Sequence, residues 1–386
     1  MSSEFPKLRR VHRPAITMGD PCGIGPEVTV KALNVARLHH GLRAAVIFGD
    51  HAPLARAAKL AGIEVFWRDA DADANADAEA NFESSATDFV LSAPSTDSLQ
   101  DAPENERNIS NEVRSGQRSF RWVQEAIALW KRGGCDSVVT APISKHAWSV
   151  AGHGRFPGHT EVFADAFPGN PFAMFFHAPP TPALPGMNVI LVTVHIPLAA
   201  VAATLTTARI VEAIQLAHAA MVELGTPAPR IGVCGLNPHA GEMGLLGSED
   251  EVVIKPAIRA ALAGGINVTG PHPGDTIFQR SLIKQHNSQH TYDCVVAMYH
   301  DQGLIPLKTL AWDRAVNVTV GLPIIRTSPD HGTAFDIAGQ NLADPGSMLA
   351  ALLLAVRMSR ANEGGANEGG ANEEGANERG ATEGGA

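Results

Sequence analysis

The chain reads as a two-domain α/β protein with mostly parallel sheets flanked by helices. Three observations in the 386-residue sequence predict that class. Short runs rich in Val and Ile recur at residues 15–18, 44–48, 137–140, 189–194, 231–234 and 294–298. Between them lie longer stretches whose apolar residues repeat near every 3.6 positions, at 120–130, 208–224 and 252–262 among others. The length is enough for two hydrophobic cores. Strand and helix alternating in this way favour strands buried on both faces beneath helices. The alternation does not give the order of the strands.

Taken in order, the first strand ends in Gly19-Asp20-Pro21-Cys22-Gly23-Ile24-Gly25-Pro26-Glu27, a tight turn into a helix over 28–37. Pro26 suits the first helical turn, and the glycines permit the sharp reversal. The pattern is neither a dinucleotide-binding GxGxxG nor a Walker loop. Residues 69–110 form an acidic excursion, an Ala/Asp run followed by Ser, Pro and Asn, in which Phe89-Val90-Leu91 could pair as a strand. The tail repeats ANEGG-like units over 361–386, with nothing apolar to bury, and reads as disordered. The expected division is 10–150 plus 330–360 as the first domain and 151–329 as the second.

Composition narrows the function classes. The formal net charge is −10, but the excursion carries a net −10 and the tail a net −5, which leaves the remainder at +5. That mildly basic remainder favours small anionic ligands. No Lys/Arg cluster is dense enough to suggest nucleic acid. The longest apolar run, 348–356, is too short to span a bilayer, and the N-terminal stretch lacks the apolar segment of a secretory signal. The four cysteines, Cys22, Cys135, Cys234 and Cys294, have no CxxC spacing and read as reduced thiols in a cytosolic protein.

Three of the strand-like runs lead into a histidine. Residues 189–194 run into His195, 231–234 pass through Gly235-Leu236-Asn237-Pro238 into His239, and 294–298 with Tyr299 run into His300. Ligands in open α/β sheets bind beyond the carboxyl ends of strands. Three imidazoles gathered there, with positions left for water or substrate, are a catalytic metal set. Asp301, directly after His300, and Asp275, in Pro273-Gly274-Asp275-Thr276, could orient a ligand imidazole or act as a base. Asp275 reads equally well as a turn or capping residue.

A second group suits an anion. His159 and Thr160 in Gly158-His159-Thr160-Glu161 sit at the mouth of an expected helix, where a phosphate or carboxylate is favoured. Lys308, Asn317 and Arg326 add two cations and an amide, and Arg326 follows the apolar run 322–325. Lys145 is a weaker candidate of the same kind.

The phrases ITMGDPCGIGPE, TAPISK, FPGHTE, HIPL, GLNPHAGE, AMYHDQGLIPLK and GLPIIRTSPDHGTAFDIAG occur in that order. Together they closely resemble the 4-hydroxythreonine-4-phosphate dehydrogenase family over residues 12–360, apart from the acidic excursion. The resemblance implies an isocitrate/isopropylmalate dehydrogenase-like fold and a homodimer with its active site at the subunit interface. It implies NAD- or NADP-dependent oxidation of a secondary alcohol beside a carboxylate, with loss of carbon dioxide. The family's metal ligands fall on His195, His239 and His300. Its substrate contacts fall on His159, Thr160, Lys308, Asn317 and Arg326. Relatives act on threonate or erythronate 4-phosphate, and one branch oxidises the cis-dihydrodiol of terephthalate, so the substrate stays open among these.

The expected activity is therefore a metal-assisted oxidative decarboxylation of a 4-phosphorylated hydroxy acid, with Asp275, Asp301 or Lys308 as acid–base groups. One divalent ion is expected per site, zinc ahead of magnesium, manganese or cobalt because the ligands are imidazoles. Two rivals remain at this point: a three-histidine metal hydrolase or lyase that needs no nicotinamide, and a protein that only binds metal or anions.

Overall fold

The computed structural model describes residues 12–70, 88–92, 111–282 and 292–374. Among them twelve strands form one sheet: β1 (Pro14–Thr17), β2 (Ala44–Phe48), β3 (Arg68–Asp69), β4 (Asp88–Ser92), β5 (Ser137–Thr140), β6 (Ala173–Ala178), β7 (Met187–Leu191), β8 (Ile231–Cys234), β9 (Val268–His272), β10 (Cys294–Ala297), β11 (Val316–Val320) and β12 (Ile325–Pro329). Their order is β3-β4-β2-β1-β5-β12-β11-β6-β7-β10-β8-β9. Each of the six expected strands is present, and Phe89-Val90-Leu91 pairs parallel with β2. The rest of the excursion, 71–87 and 93–110, lies outside the described residues.

The sheet has two parallel blocks joined by antiparallel pairs. The first block ends with β12, which runs parallel to β5. Strand β11 is antiparallel to both β12 and β6, and β6 is antiparallel to β7. Strands β7, β10, β8 and β9 are then parallel to one another. These pairings make the second block run opposite to the first. Residues 325–329, expected with the second domain, pair with the first half through β5, and the sheet continues without a break between the halves.

Eleven α-helices flank the sheet among the described residues: α1 (Gly25–His39), α2 (His51–Leu60), α3 (Asn111–Lys131), α4 (Lys145–Trp148), α5 (His159–Ala166), α6 (Val201–Thr204), α7 (Thr207–Glu223), α8 (Lys255–Ala263), α9 (Gly274–Leu282), α10 (His300–Ala311) and α11 (Gly346–Glu374). Pro26 lies in the first turn of α1, as its fixed φ favours. The core is filled by β-branched strand residues and by large side chains such as Trp122, Trp148, Phe163, Phe175 and Phe176. No single helix among the described residues is long and apolar enough to cross a membrane.

The tail departs from expectation up to Glu374, because α11 continues past Ala361. Its first turns are packed on β12, so the costly nucleation of a helix is already met. The Ala and Glu of each repeat are good helix formers and offset part of the glycine cost. Residues 375–386 lie outside the described residues.

The turn after β1 packs tightly against the loop after β5. Gly19 has φ +75°, and a Cβ there would lie 2.3 Å from the carbonyl oxygen of Pro142. Both the left-handed backbone and the contact exclude a side chain. Gly19→Ala should lower the unfolding free energy by about 1–3 kcal/mol. Urea denaturation checks this, and an unchanged midpoint would mean the turn can move away from Pro142.

Candidate active site

One cavity of about 300 Å³ gathers most of the residues singled out in the sequence. His159, Thr160, His195, His300, Lys308, Asn317 and Arg326 all line it, and so does Lys145. Its floor is the face of the sheet where β5, β12, β11 and β6 meet. Residues paired across strands share a face, and alternate residues along a strand share it too. Arg326 pairs with Thr319 and with Val138, two residues before Thr140. Asn317 pairs with Ser328 and Phe176, and Thr319 pairs with Met174. All of these side chains except Val138 and Thr319 line the cavity, and Thr319 holds Arg326 from below.

Arg326 is only 2 % exposed. Its Nε and Nη2 donate to Thr140 Oγ1 at 3.2 and 2.8 Å, and Nη1 donates to Thr319 Oγ1 at 3.2 Å. Burial pushes its pKa down to about 10, against a smaller upward pull from Glu161. The guanidinium therefore stays charged at neutral pH while bonded only to neutral groups. Asn317 Oδ1 and His159 Nε2 are buried beside it without a protein partner. Buried polar atoms of this kind are expected to meet a ligand or water.

Helix α5 begins at His159, and its first turn, with His159, Thr160 and Glu161, lines the cavity, so the positive end of its dipole lies there. His159 is held in place edge-on against Trp148, with ring centroids 5.4 Å apart. The Trp148 Nε1 donates to Ser119 Oγ at 2.9 Å, which fixes the indole. Burial, then Arg326 and Lys145, push the His159 pKa well below its ordinary value. Lys308 Nζ lies 3.2 Å from Asp330 Oδ2. Burial raises the Asp330 carboxyl, and Lys308 opposes that rise.

The other end holds two of the three expected metal ligands. The chain beyond β7 is stitched to the end of β10 by Val192 N donating to Ala297 O and by Thr193 Oγ1 donating to Met298 O, at 2.9 and 2.7 Å. That places the His195 and His300 rings 5.8 Å apart at 43°. Asp301 Oδ1 is 2.7 Å from His300 Nδ1, which leaves Nε2 as the free nitrogen. Burial, followed by Lys145 and His300, pushes the His195 pKa down and keeps its lone pair available.

His239 is not brought to this pair within one chain. It is exposed on a left-handed turn, with φ 54° at His239, 53° at Ala240, 80° at Gly241, 44° at Glu242 and 57° at Met243. No group of three His, Cys, Asp or Glu among the described residues could hold a metal ion. The turn is built, not loose. The buried Asp250 carboxylate accepts from Leu236 N, Asn237 N and Asn237 Nδ2 at 2.9, 3.1 and 3.0 Å. Gln302 ties it to the His300 segment, accepting from Met298 N and donating to Gly235 O. Asp275 is exposed at the start of α9 and does not line the cavity.

The family model described as pyridoxal phosphate biosynthetic protein PdxA matches residues 42–355. The chain belongs to the PdxA family. It is 41 % identical over 346 residues to a putative D-threonate 4-phosphate dehydrogenase of Oceanobacillus iheyensis, covering 89 % of this chain and 97 % of that one. It is equally 41 % identical over 355 residues to a 4-hydroxythreonine-4-phosphate dehydrogenase of Geobacter metallireducens, covering 92 % and 97 %. The crystal structure of 4-hydroxythreonine-4-phosphate dehydrogenase from Klebsiella pneumoniae superposes with a TM-score of 0.71 at 37 % identity, covering 90 % of this chain and 98 % of that one. As a member of the PdxA family the chain is a dehydrogenase.

Several residues of the site escaped the sequence reading: Thr140, Ser328, Asp330 and His331, which line the cavity, the role of Glu161, and Thr319 beneath Arg326. The signal for two of them, Thr319 and Ser328, was present as alternation. Asn317-x-Thr319 and Arg326-x-Ser328 place polar residues on one face of two short strands otherwise built of apolar or Thr residues.

Burial of a neutral His159 makes stability depend on pH. The unfolded imidazole titrates near about 6.5. Below that pH the unfolded chain binds a proton that the folded chain does not, so stability falls as pH drops towards the lowered folded value. The drop in melting temperature between about pH 7 and pH 5 should be smaller in His159→Gln than in the parent protein. An equal drop in both would assign the pH dependence to other groups.

Proposed function

We propose that this chain is a divalent-metal-dependent, NAD- or NADP-linked dehydrogenase that oxidises and decarboxylates a 4-phosphorylated hydroxy acid in the cytosol. The substrate is 4-phosphohydroxy-L-threonine, on the route to pyridoxal phosphate, or a sugar acid 4-phosphate of similar size. The observation that carries the reading is the pairing, within one cavity, of a buried Arg326 hydrogen-bonded to threonine hydroxyls with the imidazoles of His195 and His300.

The donor set fits a divalent transition ion. His300 keeps Nε2 free because Nδ1 is engaged by Asp301, and burial keeps His195 neutral. A third imidazole is needed, and we assign it to His239 of a second copy. The turn that carries His239 also exposes Met243 and Leu245, which are 89 % and 80 % accessible, as an apolar tip suited to burial in a homodimer. A bound metal would polarise the substrate oxygen at the reacting carbon, and the nicotinamide would take the hydride.

The chain's own groups bind and orient. Arg326 and Asn317 grip the phosphate, with the amides at the start of α5 adding to the field. Thr160 and His159 fix the hydroxyl-bearing carbons. Oxidation removes a hydride from carbon and a proton from its oxygen. The keto acid so formed releases carbon dioxide, and the remaining enolate takes up a proton. Lys308, an ammonium beside Asp330 in the cavity, is the best placed of the expected acid–base residues to supply that proton. Asp301 acts through His300, and Asp275 has no place in the cavity of a single chain.

Two experiments test the reading. Incubation with metal and NAD or NADP, using 4-phosphohydroxythreonine, threonate 4-phosphate, erythronate 4-phosphate and terephthalate cis-dihydrodiol in turn, should give reduced nicotinamide with a phosphorylated substrate. Reduction only with the dihydrodiol would move the chain to aromatic catabolism, and turnover without reduction would favour a metal hydrolase or lyase. His195→Ala and His239→Ala should each lose metal and activity. Mixing and reassembling the two inactive variants should restore roughly a quarter of the parent activity, because half the dimers are mixed and each has one complete site. No recovery would refute a site shared between subunits.

A further inference from the structure

A buried guanidinium is ordinarily neutralised by a carboxylate, because an unpaired charge away from water is costly. This chain follows that rule elsewhere. The buried Arg314 donates Nη1 to Asp313 Oδ1 at 3.0 Å, and the part-buried Arg230 donates Nη2 and Nε to Asp293 at 3.0 and 3.1 Å. Arg326 is more deeply buried than either, yet its three protein hydrogen bonds all go to threonine hydroxyls. Thr140 Oγ1 accepts from two of its nitrogens and Thr319 Oγ1 from the third. The Phe163 ring lies against the guanidinium, 5.9 Å from its central carbon. A guanidinium has five N–H groups. With three engaged, one N–H remains on each terminal nitrogen.

The arrangement follows from strand register. Thr319 is the cross-strand partner of Arg326 on β11, and Thr140 lies two residues beyond its partner Val138 on β5. The three side chains share one face of three adjacent strands, and a slip of one residue in any of them would turn its side chain away. Nothing in the sheet's packing requires hydroxyls here. Valine, of similar shape, fills such buried strand positions equally well.

We propose that Thr140 and Thr319 are positioning residues that fix the plane of Arg326 without cancelling its charge, so that the full charge and two directed N–H groups meet the substrate's phosphate. The inference rests on the reading above that Arg326 holds the anionic end. A carboxylate in place of either hydroxyl would fix the guanidinium equally well but would compete with the phosphate for it. Serine would serve as threonine does. Valine would leave the guanidinium held from one side and free to turn.

Inorganic phosphate is the probe, titrated into the full-length protein by calorimetry, with thermal melting to verify folding. Thr140→Val should weaken phosphate binding by about tenfold, as expected for a lost hydrogen bond to a charged group. Thr140→Ser should restore most of the affinity, and Thr140→Asp should reduce it further than Val does. If Thr140→Val falls below a folded midpoint, Thr319→Val gives the same comparison on the opposite side of the guanidinium. Arg326→Gln separates the two claims. If Arg326→Gln weakens phosphate binding while both valine variants match the parent, the positioning role is overturned and the anion site stands. If Arg326→Gln binds phosphate as tightly as the parent, both are overturned.

Discussion

The antiparallel pairing of β11 with β12, inserted into the middle of a sheet that is otherwise mostly parallel, is the constraint on which the rest depends. It reverses the direction of the second parallel block, and it sets Thr319 opposite Arg326. In a sheet with one common direction, all strand ends would lie on one edge and the chemistry would gather there. Here the reversal lets the loops beyond β7 and β10 approach the exposed face of the central strands. The anion-holding floor and the histidine-bearing loops become two walls of one cavity. The buried guanidinium sits in the wall of that cavity, held by threonine hydroxyls.

The same logic explains why the histidines are treated differently. His159 lies beside Arg326 and Lys145, both of which disfavour its protonation in addition to burial. A neutral ring there can still accept or donate one hydrogen bond. His195 is likewise disfavoured from protonation by burial, by Lys145 and by the nearby His300 ring, 5.8 Å away. The turn carrying His239 shows the opposite economy. Five successive residues, His239 to Met243, lie in the left-handed region, at a cost on the order of 1 kcal/mol for each of the four that are not glycine. Such strain persists only where the surroundings over-determine it, and the bonds of Asp250 and Gln302 do so.

Most of the parallel framework was legible, because buried parallel strands announce themselves as Val/Ile runs and their helices as a 3.6-residue period. The central strands were harder to read. Ala173–Ala178 holds two Phe and a His, and Ile325–Pro329 reads IRTSP, so neither resembles a buried strand by composition. Their polar side chains are buried all the same: Arg326 and Ser328 line the cavity, while on the other face Thr327 donates to Ala351 O and His177 is bonded to Asn188. The site residues found by strand-end position, such as His195 and His300, came together in space. Lys308, found by charge alone, lines the cavity, but its pairing was not legible, since Asp330 lies twenty-two residues away in sequence. Residues that only hold others, Thr140, Thr319 and Asp250, carry no signature that separates them from ordinary buried polar groups.

Placing His239 out of reach within a single chain has a consequence for how the enzyme is assembled. On the function proposed above, a site with two imidazoles and an anion clamp would bind a phosphorylated acid at one end before the metal end is complete. If the third imidazole arrives only with a second copy, metal retention is linked to dimerisation, and each stabilises the other by the same free energy. The exposed Met243 and Leu245 beside His239 make that link physical, because the apolar contact that would hold the copies together is carried on the same rigid turn as the ligand.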